Sequence, residues 1–264
     1  MPLTDFQAEI ARLLAKNRSP ESHLAGGSAL HFKPHSLRYS QDLDYFHDKV
    51  ELVAEAFSKD EKVLRENHYD VQLEMNQSGY IRTKVSKASQ STKIEWSHDT
   101  AWRFMPAILN IDFGYMLHPV DLAINKTLAL VGRDEPRDFL DVLHAHKKIL
   151  PLGALLWACA GKDPGYTPLL LLELLKRRGK YRPEDFTKLK LLKPVNIQNM
   201  KSEWLSLLDK AESFIENRSP DEIGCLYYSR KQKIFFAPSP GDSKKTYVLH
   251  YGRKGGILPY LGIE

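Results

Sequence analysis

A chain of 264 residues with 42% apolar and 27% charged side chains is long enough to bury one large core or two ordinary ones, which excludes a disordered or fibrous protein. A formal charge of +5 and a pI near 9.0 bias it toward an anionic partner, but the 33 acidic residues are too evenly mixed with the 38 basic ones for composition alone to mark a nucleic-acid binder. Cys159 and Cys225 lack CxxC spacing, excluding a disulfide framework or zinc knuckle, and no apolar run reaches membrane-spanning length, so the expectation is a soluble chain of a reducing cytoplasm.

Residues 4–16 read as a helix with Phe6, Ile10, Leu13 and Leu14 on one side, and the charges spread through MPLTDFQAEIARLLAKN are unlike a signal peptide. The turn-rich NRSPES leads into HLAGGSALHF, a short strand broken at Gly26-Gly27 that restarts as a brief helix ended by Pro34. YSQDLDYF is the second strand and VELVAEAFSKDEKVLREN a helix; YDVQLEM, YIRTKVSK and STKIEWSH are three further strands. From Pro119 the pattern turns helical, through VDLAINKTLALVG and then PRDFLDVLHAHKKIL with Pro136 at its start. Helices continue beyond residue 150, broken at Pro164-Gly165, Pro168 and Gly179, and LYYSRKQKIFFAP and KTYVLHYG read as two terminal strands around PSPGDSKK. The expected division is an α/β core over residues 1–118, then a helical region with a terminal hairpin over 119–264.

Strand alternation turns Arg38, Ser40, Asp42 and Asp44 to one face, where two neighbouring carboxylates repel unless something positive lies between them. Such a pair suits Mg²⁺, which takes one or two carboxylates and completes its shell with phosphate oxygens. A third carboxylate on an adjacent strand completes a two-metal arrangement. It is either Glu95, which shares a face with Lys93, Ser97 and Asp99 while Ile94 and Trp96 turn inward, or Asp112 in LNIDFGY. Gly26, Gly27 and Ser28 stand where a strand hands over to a helix, a place where phosphate oxygens approach backbone amides and the Ser28 hydroxyl adds a donor. Taken singly, a glycine pair is more often a turn and Asp-x-Asp a solvated edge; the spacing of GGS before RYSQDLDYF favours a site.

Lys126 and Arg133 lie seven apart on one helix face, and Arg137 with Asp141, like Asp134 with Asp138, are related by four. They are either surface ion pairs of little worth or a cluster that neutralises phosphate charge. His144 and His146, two apart on a helix, point to different faces and cannot chelate together. GRKGG near the end reads as a turn, and both GxxxxGK[ST] and GxGxxG are missing. Tyr227, Tyr228, Phe235 and Phe236 interleave with Arg230, Lys231 and Lys233, with Lys244, Lys245, Arg253 and Lys254 following; this tail either grips single-stranded nucleic acid or packs its aromatics on the helices.

The constellation resembles the nucleotidyltransferase superfamily of DNA polymerase beta type, whose signature is Gly-Ser followed by Asp-x-Asp. More narrowly, GGSAL with RYSQDLDYF, and Lys126, Arg133, Arg137, Asp138 and Asp141 in DLAINKTLALVGRDEPRDFLDVL, are similar to the AbiEii/AbiGii toxin family across roughly residues 23–150. The resemblance implies an α+β fold: a mixed sheet flanked by helices, followed by a helical region and a C-terminal β-hairpin. It also implies a metal-dependent enzyme that moves a nucleoside monophosphate from NTP, ATP or GTP among them, to an acceptor. In related members the acceptor is the 3′ end of tRNA, and the enzyme is the toxin of a toxin-antitoxin or phage-defence pair with a cognate antitoxin as partner. Asp42, Asp44 and Glu95 would then hold Mg²⁺, with Glu95 helping to activate the acceptor oxygen. Gly27, Ser28, Arg38, Ser40, Lys126 and Arg137 would bind the nucleotide, and Asp138 would orient Lys126 or a base. The alternatives are a small-molecule or protein acceptor, or a nucleotide- or RNA-binding module of the same fold without turnover.

Overall fold

The Thr4 side chain starts the first helix: its hydroxyl accepts from the Gln7 N–H while the Gln7 side chain accepts from the Thr4 N–H, closing a capping box on α1 (Asp5–Leu14). In the computed structural model, which describes residues 3–32, 37–192 and 194–261, α1 buries Phe6, Ile10, Ala11 and Leu14. The expected helix stop at Pro34 lies outside the described residues. After β1 (Ser22–Ala25), α2 (Gly26–Leu30), β2 (Asp42–His47) and α3 (Val50–Glu66) come β3 (Asp70–Gln77), β4 (Tyr80–Lys87) and β5 (Gln90–His98). The short strands β6 (Trp102–Arg103), β7 (Ile108–Asn110) and β8 (Gly114–Met116), which the apolar pattern does not announce, complete this half.

Seven of these strands form one mixed sheet in the order β3-β4-β5-β2-β1-β8-β7, with β2 parallel to β5, β1 parallel to β8 and the remaining pairs antiparallel. Alternation gives each central strand a buried side: Leu43, Tyr45 and His47 on β2, Thr92, Ile94 and Trp96 on β5, Ile81, Thr83 and Val85 on β4. That side packs on α1 and α3 in a core that includes Val53, Leu64 and Ile10. A buried polar knot pins the helices to it: Asp60 on α3 accepts from Arg18 at 2.6 Å, from Asn17 at 2.7 Å and from Trp96 Nε1 at 2.8 Å, while the Arg18 guanidinium stacks on Tyr45. The other side of β2, β4 and β5 carries the charged residues and stays open.

The second half is built from α4 (Pro119–Arg133), α5 (Pro136–Lys148), α6 (Leu152–Lys162), α7 (Pro168–Lys176) and α8 (Ile197–Glu216), around a second core with Phe139, Leu155, Trp157, Leu172 and Trp204. Pro119 and Pro136 both occupy the first turn of their helices, where the missing N–H has no helical partner to lose. The terminal segment gains a strand over the expected hairpin. LYYSRKQKIFF folds back on itself as β9 (Leu226–Ser229) and β10 (Phe235–Phe236), and β11 (Tyr247–His250) pairs antiparallel with the far edge of β9. The GRKGG stretch is more than a turn, since β12 (Arg253–Lys254) pairs with β6 before Gly255 and Gly256 reverse the chain at φ near +77° and +74°.

Candidate active site

Three cross-strand rows on the open face set the chemistry. The β4–β5 and β2–β5 registers align Lys84, Lys93 and Asp42 in one row, Arg82, Glu95 and Asp44 in the next, and Tyr80, Ser97 and Phe46 in the third. Side chains of one face recur every two residues, so the rows stand roughly 7 Å apart. Asp42 and Asp44 therefore share a face as the alternation requires. Arg38 and Ser40, expected on the same strand, precede it, because β2 begins at Asp42 and Arg38 instead bridges to Leu191. The Ser40 hydroxyl donates to the Asp42 carbonyl at 2.9 Å, closing the turn that feeds the strand.

Gly26 and Asp44 fit each other closely. A Cβ on Gly26 would sit 1.8 Å from Asp44 Oδ2, and the residue holds φ +58°, so both space and backbone require glycine. At Gly27 a Cβ would come within 3.0 Å of the Arg38 guanidinium and 3.1 Å of Ser40 Oγ. The Ser28 hydroxyl turns inward: it donates to the Ala25 carbonyl at 2.9 Å and accepts from the Asp44 N–H at 3.5 Å, bracing the strand rather than offering a donor to the cleft.

Behind this elbow lies a buried ion cluster joining α2, α4 and α5. Lys126 Nζ stands 3.2 Å from Asp138 Oδ1 and 3.0 Å from Asp141 Oδ2, Arg133 reaches Asp138 at 2.6 Å, and Arg38 grips both oxygens of Asp141 at 2.9 and 2.7 Å. His31 Nε2 completes the set at 2.7 Å from Asp141. Burial pushes Asp141 upward, but Lys126, Arg38 and His31 outweigh it and hold the carboxyl well below its ordinary value. For Asp138, Arg133 and Lys126 likewise overcome burial, and Lys126 is held above its ordinary value by the same two carboxylates against its own burial. Three cations share two carboxylates, so the cluster carries surplus positive charge toward the cleft.

Of the two readings of these spacings, the surface i,i+4 pair between Arg137 and Asp141 is not made. Asp141 points to Arg38, and Arg137 reaches Glu135 at 2.7 Å and Asp42 at 3.6 Å. Asp134 likewise receives Tyr181 and Arg178 rather than pairing along its helix. His144 stacks at a tilt against His31 and His146 Nδ1 accepts from the Leu152 N–H, so the two point apart as their spacing requires. In the tail, Tyr227 is buried and its ring packs edge-on to Tyr247, as Phe236 does to Tyr247 and Phe235 to Tyr228.

A cleft of about 550 Å³ between the sheet and α4 is lined by Gly26, Gly27, Asp42, Asp44 and Glu95 with Arg38, Lys126, Arg133 and Arg137, and continues past Phe46 and Tyr80 to Asn125, Asp99 and Lys162. Of the two rivals for the third carboxylate, Glu95 is here, one strand from Asp44, with Arg82 Nε donating to it at 2.8 Å. Asp112 sits exposed in the β7–β8 turn. Asp138 is fully buried under Lys126 and does not line the cleft. Arg82 is the residue that sequence reasoning missed, because its place opposite Glu95 follows only from the strand register.

Asp44 is pushed up to about 7, first by burial and then by the charges of Asp42 and Glu95, with Lys126 opposing. As neighbouring carboxylates that line the cleft, Asp42 and Asp44 fit a divalent ion shared with substrate phosphates. Among the described residues no three His, Cys, Asp or Glu side chains gather into a ready-made metal cage. Also among the described residues, no helix is long and apolar enough to cross a membrane.

The sequence family described as nucleotidyl transferase AbiEii toxin, type IV TA system, matches residues 11–223. MenT4, a nucleotidyltransferase toxin from Mycobacterium tuberculosis H37Rv, superposes with a TM-score of 0.52 at 16% identity, covering 82% of this chain and 83% of its own. JHP933 from Helicobacter pylori gives a TM-score of 0.49 at 16% identity over 81% of this chain and 95% of its own. The likeness to MenT4 is one of fold. No curated protein sequence matches the chain.

Proposed function

The chain belongs to the AbiEii nucleotidyltransferase toxin family, and from that premise we propose that it transfers a nucleoside monophosphate from an NTP to the 3′ end of tRNA with the help of Mg²⁺. The observation that carries the proposal is the contact of the Asp44 carboxylate with Gly26 in a cleft whose far wall is the positively charged cluster around Lys126. Asp42 and Asp44 would hold the divalent ion, with Glu95 next to them. Bound there, it would neutralise developing charge on the phosphates.

Gly26 makes room for the Asp44 carboxylate and Gly27 lines the cleft where the triphosphate would lie, while Lys126 and Arg133, fixed by Asp138 and Asp141, meet its charge without having to be ordered at the moment of reaction. Arg38 acts one step back, by holding Asp141. Arg137 has no buried carboxylate of its own and is available to the departing phosphates. The acceptor hydroxyl oxygen forms a bond to the α-phosphorus as the bond from that phosphorus to the β-bridging oxygen breaks; Glu95 takes the hydroxyl proton and pyrophosphate leaves in line. We place the boundary of the catalytic unit at residue 118, so that α4 opens the second unit and forms the cleft's far wall. A cognate antitoxin follows from the family, and a part in phage defence belongs to the same proposal.

Incubation of the protein with each radiolabelled NTP, Mg²⁺ and total RNA tests it. Label should enter the tRNA fraction with the wild type and not with Asp44→Ala; label entering RNA equally with both, or entering none, overturns the reading.

A further inference from the structure

The row that ends at Asp42 carries two lysines, more positive charge than its one carboxylate balances. Lys84 and Lys93 are direct cross-strand partners, an arrangement of like charges that destabilises a sheet. Lys93 has only a long contact with Glu74 at 4.0 Å, and Lys84 forms no ion pair among the described residues. The two lysines lie in a second cleft of about 540 Å³, with Lys190 brought in from the segment before α8. This cleft meets the first at Asp42, Glu95, Arg82 and Arg137, so the carboxylates stand on the boundary between two cavities of nearly equal size. That arrangement suits transfer between two substrates.

The two cavities differ in what they offer. The first has Phe46 and Tyr80 for an apolar ring; the second is lined by no aromatic or aliphatic side chain, only by cations, the two carboxylates, and hydroxyl and amide groups such as Gln7 and Ser91. Its surplus of cations suits phosphates, and it offers no aromatic face on which a base could stack. The basic tail is a poorer candidate, because its aromatics pack against one another instead of presenting faces for stacking. We propose that the second cleft seats the acceptor: a single RNA strand whose phosphates lie on Lys84, Lys93 and Lys190 and whose terminal hydroxyl reaches the Glu95–Asp44 row. This rests on the nucleotidyl-transfer reading and adds the acceptor's path to it.

The test separates the two. Binding of a fluorescent 12-nucleotide RNA is measured by anisotropy across a salt series for an Asp44→Asn protein, with and without Lys84→Ala, Lys93→Ala and Lys190→Ala together. The triple change should weaken binding about tenfold or more near physiological salt and flatten the slope of log affinity against log salt by about 2, as for three lost phosphate contacts to a single strand. The corresponding triple change to arginine should retain most of the affinity. Lys231→Ala with Lys245→Ala, on the terminal segment, should bind RNA as the parent does. An unchanged affinity and slope in the triple alanine protein overturns the proposal, as does equal weakening by the terminal pair or a parent that binds no RNA. Label transfer to tRNA by the wild type, measured separately, reports on the reaction itself: if label enters tRNA while the triple alanine protein binds RNA as the parent does, the acceptor path fails and the nucleotidyltransferase reading stands.

Discussion

Gly26 and Asp44 are paired atom to atom, so small changes at either should be felt mainly in function. In Gly26→Ala the new methyl displaces the Asp44 carboxylate and the left-handed backbone costs about 1–2 kcal/mol. Transfer should fall by about 10²-fold, the scale of a 1 Å misplacement, while the protein still folds; a near-normal rate would show that the Asp44 position is not critical. At Asp44 the carboxyl itself couples stability to pH. The folded carboxyl holds its proton to about pH 7 whereas the unfolded one loses it near 3.8, so this group's contribution to stability declines as pH rises between those values. At pH 8 in EDTA, Asp44→Asn should therefore melt higher than the wild type while losing transfer. A lower melting temperature would mean that the carboxylate is already compensated within the fold.

At the level of elements, α4 and α5 are joined by charges that neither helix could bury alone. Removing one carboxylate strands cations in the interior, so Asp141→Asn should cost about 3–5 kcal/mol in urea unfolding, well above an exposed ion-pair change such as Glu61→Gln. Strand adjacency likewise decides the third carboxylate. Glu95→Gln should lower kcat by about 10²-fold or more if it takes the acceptor proton, whereas Asp112→Asn, in an exposed turn, should stay within about twofold. Steady-state kinetics with the reverse ranking would move the site toward the β7–β8 turn.

For the whole molecule, acid should be the weak side. Burial, with Arg103 close to His23 and Arg18 close to His47, lowers these two buried rings to about 4 and about 3. Below pH 6.5 the unfolded chain takes up protons that the folded rings refuse, so stability present above that pH is lost as it falls toward 4. Each ring contributes a slope of at most about 1.4 kcal/mol per pH unit. Urea unfolding at pH 6.5, 5.5 and 4.5 should show the decline, because His118 and His144 are lowered to about 4 as well and the four rings outnumber Asp44 and Asp121, whose raised carboxyls act the other way; a flat profile would mean that the two sets cancel. No such trend follows from net charge, since the effect depends on which histidines the sheet encloses.

Local spacing announces the main helices, the longer strands and the reaction class, and leaves out the short strands β6, β7, β8 and β12. Period-two alternation in YIRTKVSK, STKIEWSH and DLDYF fixed which side chains face the open side, and Gly-Gly-Ser before Asp-x-Asp, with Lys126 and the Arg137–Asp141 helix, marked the family. Those signals are local, written in spacings of two to seven residues. Strand order and helix docking put Glu95 rather than Asp112 beside Asp44 and Arg82 opposite Glu95, and they bury Asp138 beneath the cleft while Arg38 lines it and grips Asp141. The tertiary structure also placed Lys84, Lys93 and Lys190 around one cavity. These relations join residues brought together by strand order and helix docking, and the energy of a charge depends on what the whole fold packs around it.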